Sequence, residues 1–226
     1  MNGVRLNADV GEGFDDAGLY PFLDEANIAC GGHAGDEESM RTALARCVEH
    51  GVRPGAHPSF PDRVGFGRRL PAVVDAAEMG ESLVRQVRVL SRLADDAHLP
   101  LAHVKLHGGL YNRCAADPEL ALALATMLRD RCGGLRMLWL AGSPGWSRLT
   151  AAGFDVAAEG FVDRGYRADG SLIPRGEPGD LITDPAAAAE QAWRMAASGR
   201  YDTLCIHSDS PAALDILRSV HRRLQS

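Results

Sequence analysis

Ionisable side chains gather at the ends of short apolar runs in this 226-residue chain. The first run, Val4 to Val10, carries Asn7 and Asp9 two positions apart, on one face of a strand, and turns out through Gly11-Glu12-Gly13. Ala26 to Cys30 leads into Gly31-Gly32-His33, and Arg53 to His57 leads into Pro58-Ser59. Ala102 to His107 places His103, Lys105 and His107 on alternate positions before Gly108. Asp155 to Glu159 ends on a carboxylate, and Thr203 to His207 is followed by Ser208-Asp209. If these runs are parallel strands of a barrel, Asp9, Glu12, His33, His57, Lys105, His107, Glu159 and Asp209 converge on one rim. The glycines beside them let the backbone approach a ligand closely.

Of the 24 basic residues only Lys105 is a lysine; the rest are arginine. A lysine inside an apolar strand must lose its proton or gain a carboxylate partner, here Asp9 or Glu12. Arginine could not serve in proton transfer, because its pKa stays above about 12. A structural ion pair is the alternative for Lys105. Asp9, His33 and His57 form a mixed carboxylate and imidazole set of the kind that binds zinc and similar divalent metals. No H-E-x-x-H motif supports it. Of the eight histidines, His33, His57, His103, His107 and His207 fall in or just after candidate strands, while His50, His98 and His221 lie on helical or helix-end segments. His103, at the start of its run, belongs deeper than the rim. There is no G-x-x-x-x-G-K-[ST] phosphate loop. Gly11-Glu12-Gly13 is too short for a dinucleotide fingerprint, and Gly142-Ser143-Pro144-Gly145 is one residue short of a hydrolase elbow.

The elements that must position these groups alternate, which predicts an α/β architecture: a parallel β/α barrel of about seven strands. Arg136 to Ala141 completes the strand set. Helical patterns cover Glu37 to His50, Ala76 to Ala97, Pro118 to Arg131, Pro185 to Ser198 and Ala212 to Leu224. Asp36 with Ser39, and the pairs Asp117-Pro118, Asp184-Pro185 and Ser210-Pro211, read as helix starts, and Gly51 as a helix stop. The irregular stretches Pro58 to Val74 and Gly160 to Gly179 follow strand ends, where parallel folds build their sites. No linker or repeat divides the chain, so residues 1–226 read as one domain. With 46% hydrophobic and 24% charged residues, disorder is excluded. A net charge of −6 gives no basic footprint for nucleic acid. No run is long enough to span a membrane, and the start lacks an apolar leader core, so the protein is expected in the cytoplasm. Cys30, Cys47, Cys114, Cys132 and Cys205 include no C-x-x-C pair and read as reduced thiols, with Cys30 and Cys205 as small buried hydrophobes.

Several blocks closely resemble the LamB/YcsF family: Leu6 to Gly13, Ala26 to Asp36, Gly55 to Asp62, Gly65 to Arg69, His103 to Asn112, Glu159 to Arg175 and Ile206 to Pro211. The resemblance implies a distorted, incomplete β/α barrel of the glycoside hydrolase/deacetylase type. It implies an ATP-hydrolysing 5-oxoprolinase activity, opening the 5-oxoproline lactam to L-glutamate, with ATP as co-substrate and two partner subunits, B and C. Asp9, Glu12, His57, Lys105 and His107 would then be catalytic, His57 or His107 acting as base and Lys105 stabilising charge. Asn7, His33, Arg68, Arg69, Tyr111, Asn112, Glu159, His207 and Asp209 would bind substrate, with Arg68 or Arg69 on its carboxylate. A divalent metal on Asp9, His33 and His57 would suit instead a metal-dependent amide or N-acetyl hydrolase, and a non-catalytic small-molecule-binding subunit is a third reading. A homodimer is a further expectation. The chain departs from the family pattern at Gly32, where Phe is usual, at Leu106 and Ser208, and in a short segment between Trp193 and Thr203.

Overall fold

In the computed structural model, which describes residues 3–210 and 212–225, all seven runs are parallel strands. They are β1 Arg5–Val10, β2 Glu25–Ala29, β3 Arg53–His57, β4 His103–Val104, β5 Arg136–Leu140, β6 Val156–Phe161 and β7 Thr203–His207. Each pairs with the next, and β1 returns to β7 from Arg5 against Thr203 to Asp9 against His207, so the ring closes one strand short of eight. The connecting helices are α1 Glu37–His50, α2 Ala76–Asp96, α3 Gly108–Ala116, α4 Pro118–Cys132, α5 Pro144–Ala151, α6 Pro185–Ala197 and α7 Ala213–Gln225. Among the described residues, no helix is long and apolar enough to cross a membrane. Pro211, expected at a helix start, lies outside the described residues.

Period two sorts each strand. Leu6, Ala8 and Val10 of β1, Ala26 and Ile28 of β2, and Leu204 and Ile206 of β7 join the apolar core beneath the helices. The alternate residues fill the barrel with hydrogen-bonded polar groups. Asn7 donates to Thr203 Oγ1 at 2.8 Å, Asn27 donates to Asn7 Oδ1 at 2.7 Å, and His103 Nε2 donates to Asn27 Oδ1 at 2.7 Å. Glu25 closes the bottom, taking Arg5 at 2.9 Å and Arg53 at 2.6 Å. Each such bond satisfies a group that would cost about 1–3 kcal/mol if left buried and unpaired. Gly55 is required here: a Cβ on it would run into the His103 imidazole.

The Asp36–Ser39 capping box, Asp117 and Asp184 start helices as expected, and Gly51 ends α1 with φ of 69°. β4 is much shorter than its predicted run. Lys105 and His107 still donate backbone bonds to Ala56 and Pro58, but Pro58 has no N–H to continue the ladder. α3 and α5 were not among the helices expected from sequence; Ser143, in the stretch one residue short of a hydrolase elbow, caps α5 by accepting from the Trp146 N–H.

Candidate active site

At the carboxyl end of the barrel, β4 delivers Lys105 into a nest of acceptors. Its Nζ donates to Asp9 Oδ1 at 2.8 Å, stands 3.2 Å from Glu159 Oε1 and 3.0 Å from Cys205 Sγ, and lies over the Phe161 ring. Asn27 donates to the same Asp9 oxygen, and the Tyr111 hydroxyl donates to Glu159 Oε2 at 2.8 Å. Burial pulls Lys105 toward neutrality, yet Asp9, Cys205 and Glu159 more than reverse this and hold its pKa well above the usual lysine value. Burial likewise opposes ionisation of Asp9, but His57 and Lys105 hold its carboxyl well below the usual range. Glu159 is pushed up by burial, only partly offset by Lys105. Of the two partners the sequence offered Lys105, Asp9 takes it and Glu12 does not.

Glu12 instead meets three histidines. Its Oε1 lies 2.8 Å from His33 Nε2, 3.2 Å from His107 Nδ1 and 3.7 Å from His57 Nε2. His33 and His107 stack with ring centroids 3.5 Å apart. Burial lowers the pKa of His33 to about 4 and lowers that of His107, whereas Asp9 raises that of His57 despite its burial. Glu12 is held well down by its bonds to His107 and His33 against the effect of burial. Phe66 packs on both stacked rings from a left-handed backbone, φ 55°, which a bulky residue adopts only under constraint. Gly67 follows, also at positive φ, where a Cβ would press on His107 and His33. Glu12, His33, His57 and His107 present donor atoms within 4.8 Å of one another, a spacing that could hold a metal ion. Of the set expected from sequence, His33 and His57 belong to this cluster, and Asp9 lies beside it, with Oδ1 bonded to Lys105 and Oδ2 3.3 Å from His57 Nε2. Asp9, Cys205 and His207 also cluster, but the Lys105 ammonium binds the first two.

Above these groups opens a cavity of about 340 Å3 lined by Asp9, His57, Lys105, His107, Tyr111 and Asn112, with Arg68, Arg164, Arg175, Phe161 and His207 around it. Arg68 donates to Asp209 at 2.5 Å, and Arg175 reaches the other oxygen of Asp209 at 3.4 Å. His207 Nδ1 lies 3.0 Å from Asp163. Residues after β6 fold back through antiparallel bridges Arg164 to Leu181 and Tyr166 to Leu172, which carries Arg175 over the cavity.

Six expected residues do not line the cavity, and two of them lie clear of it. Arg69 turns outward to Asp62 at 2.8 Å, and Asn7 is consumed deeper in the barrel. Glu12, His33, Glu159 and Asp209 sit behind the lining and hold its side chains. Asn27, Asp163, Arg164, Arg175 and Phe66 were missed. Period-two polarity in Glu25 and Asn27 was a signal for Asn27; nothing periodic marks the loop residues. The expected Phe at Gly32 would collide with Ser59 and Gln86, and Gln86 occupies that space by bonding the Ser59 backbone on both sides. All five cysteines are unpaired, and burial pushes the Cys30, Cys47 and Cys114 thiols up to about 12, so they are inert.

The sequence profile of the LamB/YcsF family matches residues 4–226. The chain is 40% identical over 240 residues to the A subunit of 5-oxoprolinase from Bordetella pertussis, covering 98% of this chain and 95% of that protein. It is 38% identical over 244 residues to the A subunit of 5-oxoprolinase from Mycobacterium avium, covering 100% of this chain and 96% of that protein. The crystal structure of the lactam utilization protein of Thermus thermophilus superposes with a TM-score of 0.90 at 38% identity, over 98% of this chain and 96% of that one. Agreement along the whole chain, in sequence and in fold, leaves one assignment: the chain belongs to the LamB/YcsF family.

Proposed function

We propose that this chain is the subunit of an ATP-dependent 5-oxoprolinase that carries the lactam, working in the cytoplasm with two partner subunits, B and C. The observation that carries the reading is the floor of the cavity, where a buried, protonated Lys105 stands between Asp9 and Glu159. The space of about 340 Å3 lies at the lower end of the range for small-molecule pockets, which suits a single five-membered ring. The curated relatives, named as A subunits of 5-oxoprolinase, support the substrate class.

An unstrained lactam is a poor electrophile. Transfer of the ATP γ-phosphoryl group to its oxygen makes the ring carbon attackable; water then adds, the C–N bond breaks as the nitrogen takes a proton, and a second water releases phosphate from the resulting acyl phosphate. Lys105 faces the developing negative charge, the kind of fixed positive group that lowers such a barrier. The attacking water is placed against the wall formed by His57 and His107. Arg68 and Arg175, already bound to the carboxylate of Asp209, offer the same donors to the substrate carboxylate. With no phosphate loop in the chain, ATP is delivered with the partners.

Reconstitution tests this reading. The chain and candidate partners, purified separately and mixed, are assayed for glutamate from 5-oxoproline with and without ATP. Glutamate should appear only when all subunits and ATP are present. Equal glutamate from the partners alone would remove the chain from the reaction.

A further inference from the structure

Glu12, His33, His57 and His107 come from the exits of four successive strands and meet at one point, each less than a tenth exposed. Backbone carbonyls fix where two of the rings carry their hydrogens. His57 Nδ1 lies 2.8 Å from the Lys105 carbonyl, and His107 Nε2 lies 3.0 Å from the Phe66 carbonyl. A carbonyl only accepts, so each of these nitrogens is an N–H. The remaining nitrogens, His57 Nε2 and His107 Nδ1, face each other at 3.0 Å, and in neutral rings both are lone pairs. Glu12 Oε1 faces the same point, 3.2 Å from His107 Nδ1 and 2.8 Å from His33 Nε2. Asp9 Oδ2 adds another acceptor 3.3 Å from His57 Nε2. One proton can be shared by only two of these electron-rich atoms; a cation can be shared by all.

We propose that this point holds a divalent transition cation of the zinc type, ligated by Glu12 Oε1, His57 Nε2 and His107 Nδ1, while His33, stacked on His107, donates from Nε2 to Glu12 and holds it in place. A tetrahedral zinc site with bonds near 2.0–2.1 Å has donor-to-donor edges of about 3.3–3.4 Å. The three separations among these donors, 3.0, 3.2 and 3.7 Å, bracket that value. Ligating imidazoles are commonly oriented by donating their other N–H to a carbonyl, as His57 and His107 do. The left-handed Phe66 backbone is what turns its carbonyl onto His107. Two imidazoles with one carboxylate select a first-row transition ion over magnesium or calcium, which prefer oxygen. His57 and His107 line the cavity while Glu12 and His33 lie behind them, so the ion sits in the cavity wall, placed to polarise a water or carbonyl oxygen. That role rests on the lactam reading; the presence of the ion does not.

The test reads metal rather than turnover. The whole chain stripped with chelator, mixed with zinc chloride and gel-filtered, should retain one zinc per chain in the face of a large excess of magnesium. Cobalt in its place should give the visible spectrum of a four- or five-coordinate nitrogen and oxygen site. Glu12→Gln, which removes a ligand, should weaken retention by at least about a hundredfold, and His33→Gln, which removes the group holding Glu12, by about ten- to a hundredfold, each variant being checked for a native circular dichroism spectrum. In the wild-type chain, zinc should move the 15N ring signals of His57 and His107, a readout that survives any variant failing to fold. No retained zinc, unmoved ring signals, or full retention by both variants would overturn the metal centre. Full glutamate formation by a reconstituted zinc-free complex would sink only the role assigned to the ion, whereas zinc bound in a chain that supports no glutamate formation would sink only the lactam reading.

Discussion

Neighbours that the sequence places far apart decide what each residue can do. Lys105 is held charged because Asp9 and Glu159 surround it, and the same carboxylates would be uncompensated without it. Arg68 and Arg69 are adjacent in sequence and part in space: one lines the cavity, the other pairs outward with Asp62. Kinetics should therefore separate them. Arg68→Ala and Arg175→Ala should each raise KM for 5-oxoproline roughly tenfold or more, the worth of a charged hydrogen bond of about 1.5–3 kcal/mol. Arg69→Ala should leave KM within about twofold, consistent with an exposed ion pair worth under about 1 kcal/mol. Steady-state kinetics of the reconstituted complex decides; an Arg69 effect equal to that of Arg68 would contradict the assignment. Arg175 illustrates what was illegible in the sequence, since its arrival over the cavity depends on a loop path with no period to read.

The elements were largely legible because parallel strands impose strict alternation, and alternation sends Asn7 and Asp9 inward while Leu6, Ala8 and Val10 face the helices. Strand ends then fix the rim, so the meeting of Asp9, His57, Lys105 and His107 followed from the order of the strands alone. The length of β4 was not legible, because Pro58 on the neighbouring chain segment stops the ladder. The polar packing inside the barrel was not legible either, and Gly55 is its clearest sign. Gly55→Ala must displace the His103 imidazole and should destabilise by about 1–3 kcal/mol, the usual cost of overpacking. For a chain of this size that is a Tm loss of about 2–4 °C per kcal/mol. Gly134→Ala, where a Cβ meets nothing within 4 Å, should be neutral or slightly stabilising. Thermal melts of both variants check this; equal melting temperatures would contradict the close packing against His103.

At the scale of the whole molecule, a closed seven-strand ring gathers residues from Asp9 to His207 around one small cavity, and its lining is cationic and imidazole-rich while the chain as a whole carries −6. Such a site suits a small anionic ligand, and on the proposed reading the arginines meet its charge at the mouth and Lys105 its reacting oxygen at the floor. On the proposed reading this chain holds the lactam within a larger assembly, in keeping with relatives named as A subunits of 5-oxoprolinase. The most direct measurement is glutamate production from 5-oxoproline and ATP by a complex reconstituted with wild-type chain or with Lys105→Met, each shown by thermal melt and gel filtration to be folded and assembled. The account predicts a loss of at least about a hundredfold in kcat with Lys105→Met, the scale of removing a charge-stabilising donor. Turnover within about twofold of wild type would contradict it.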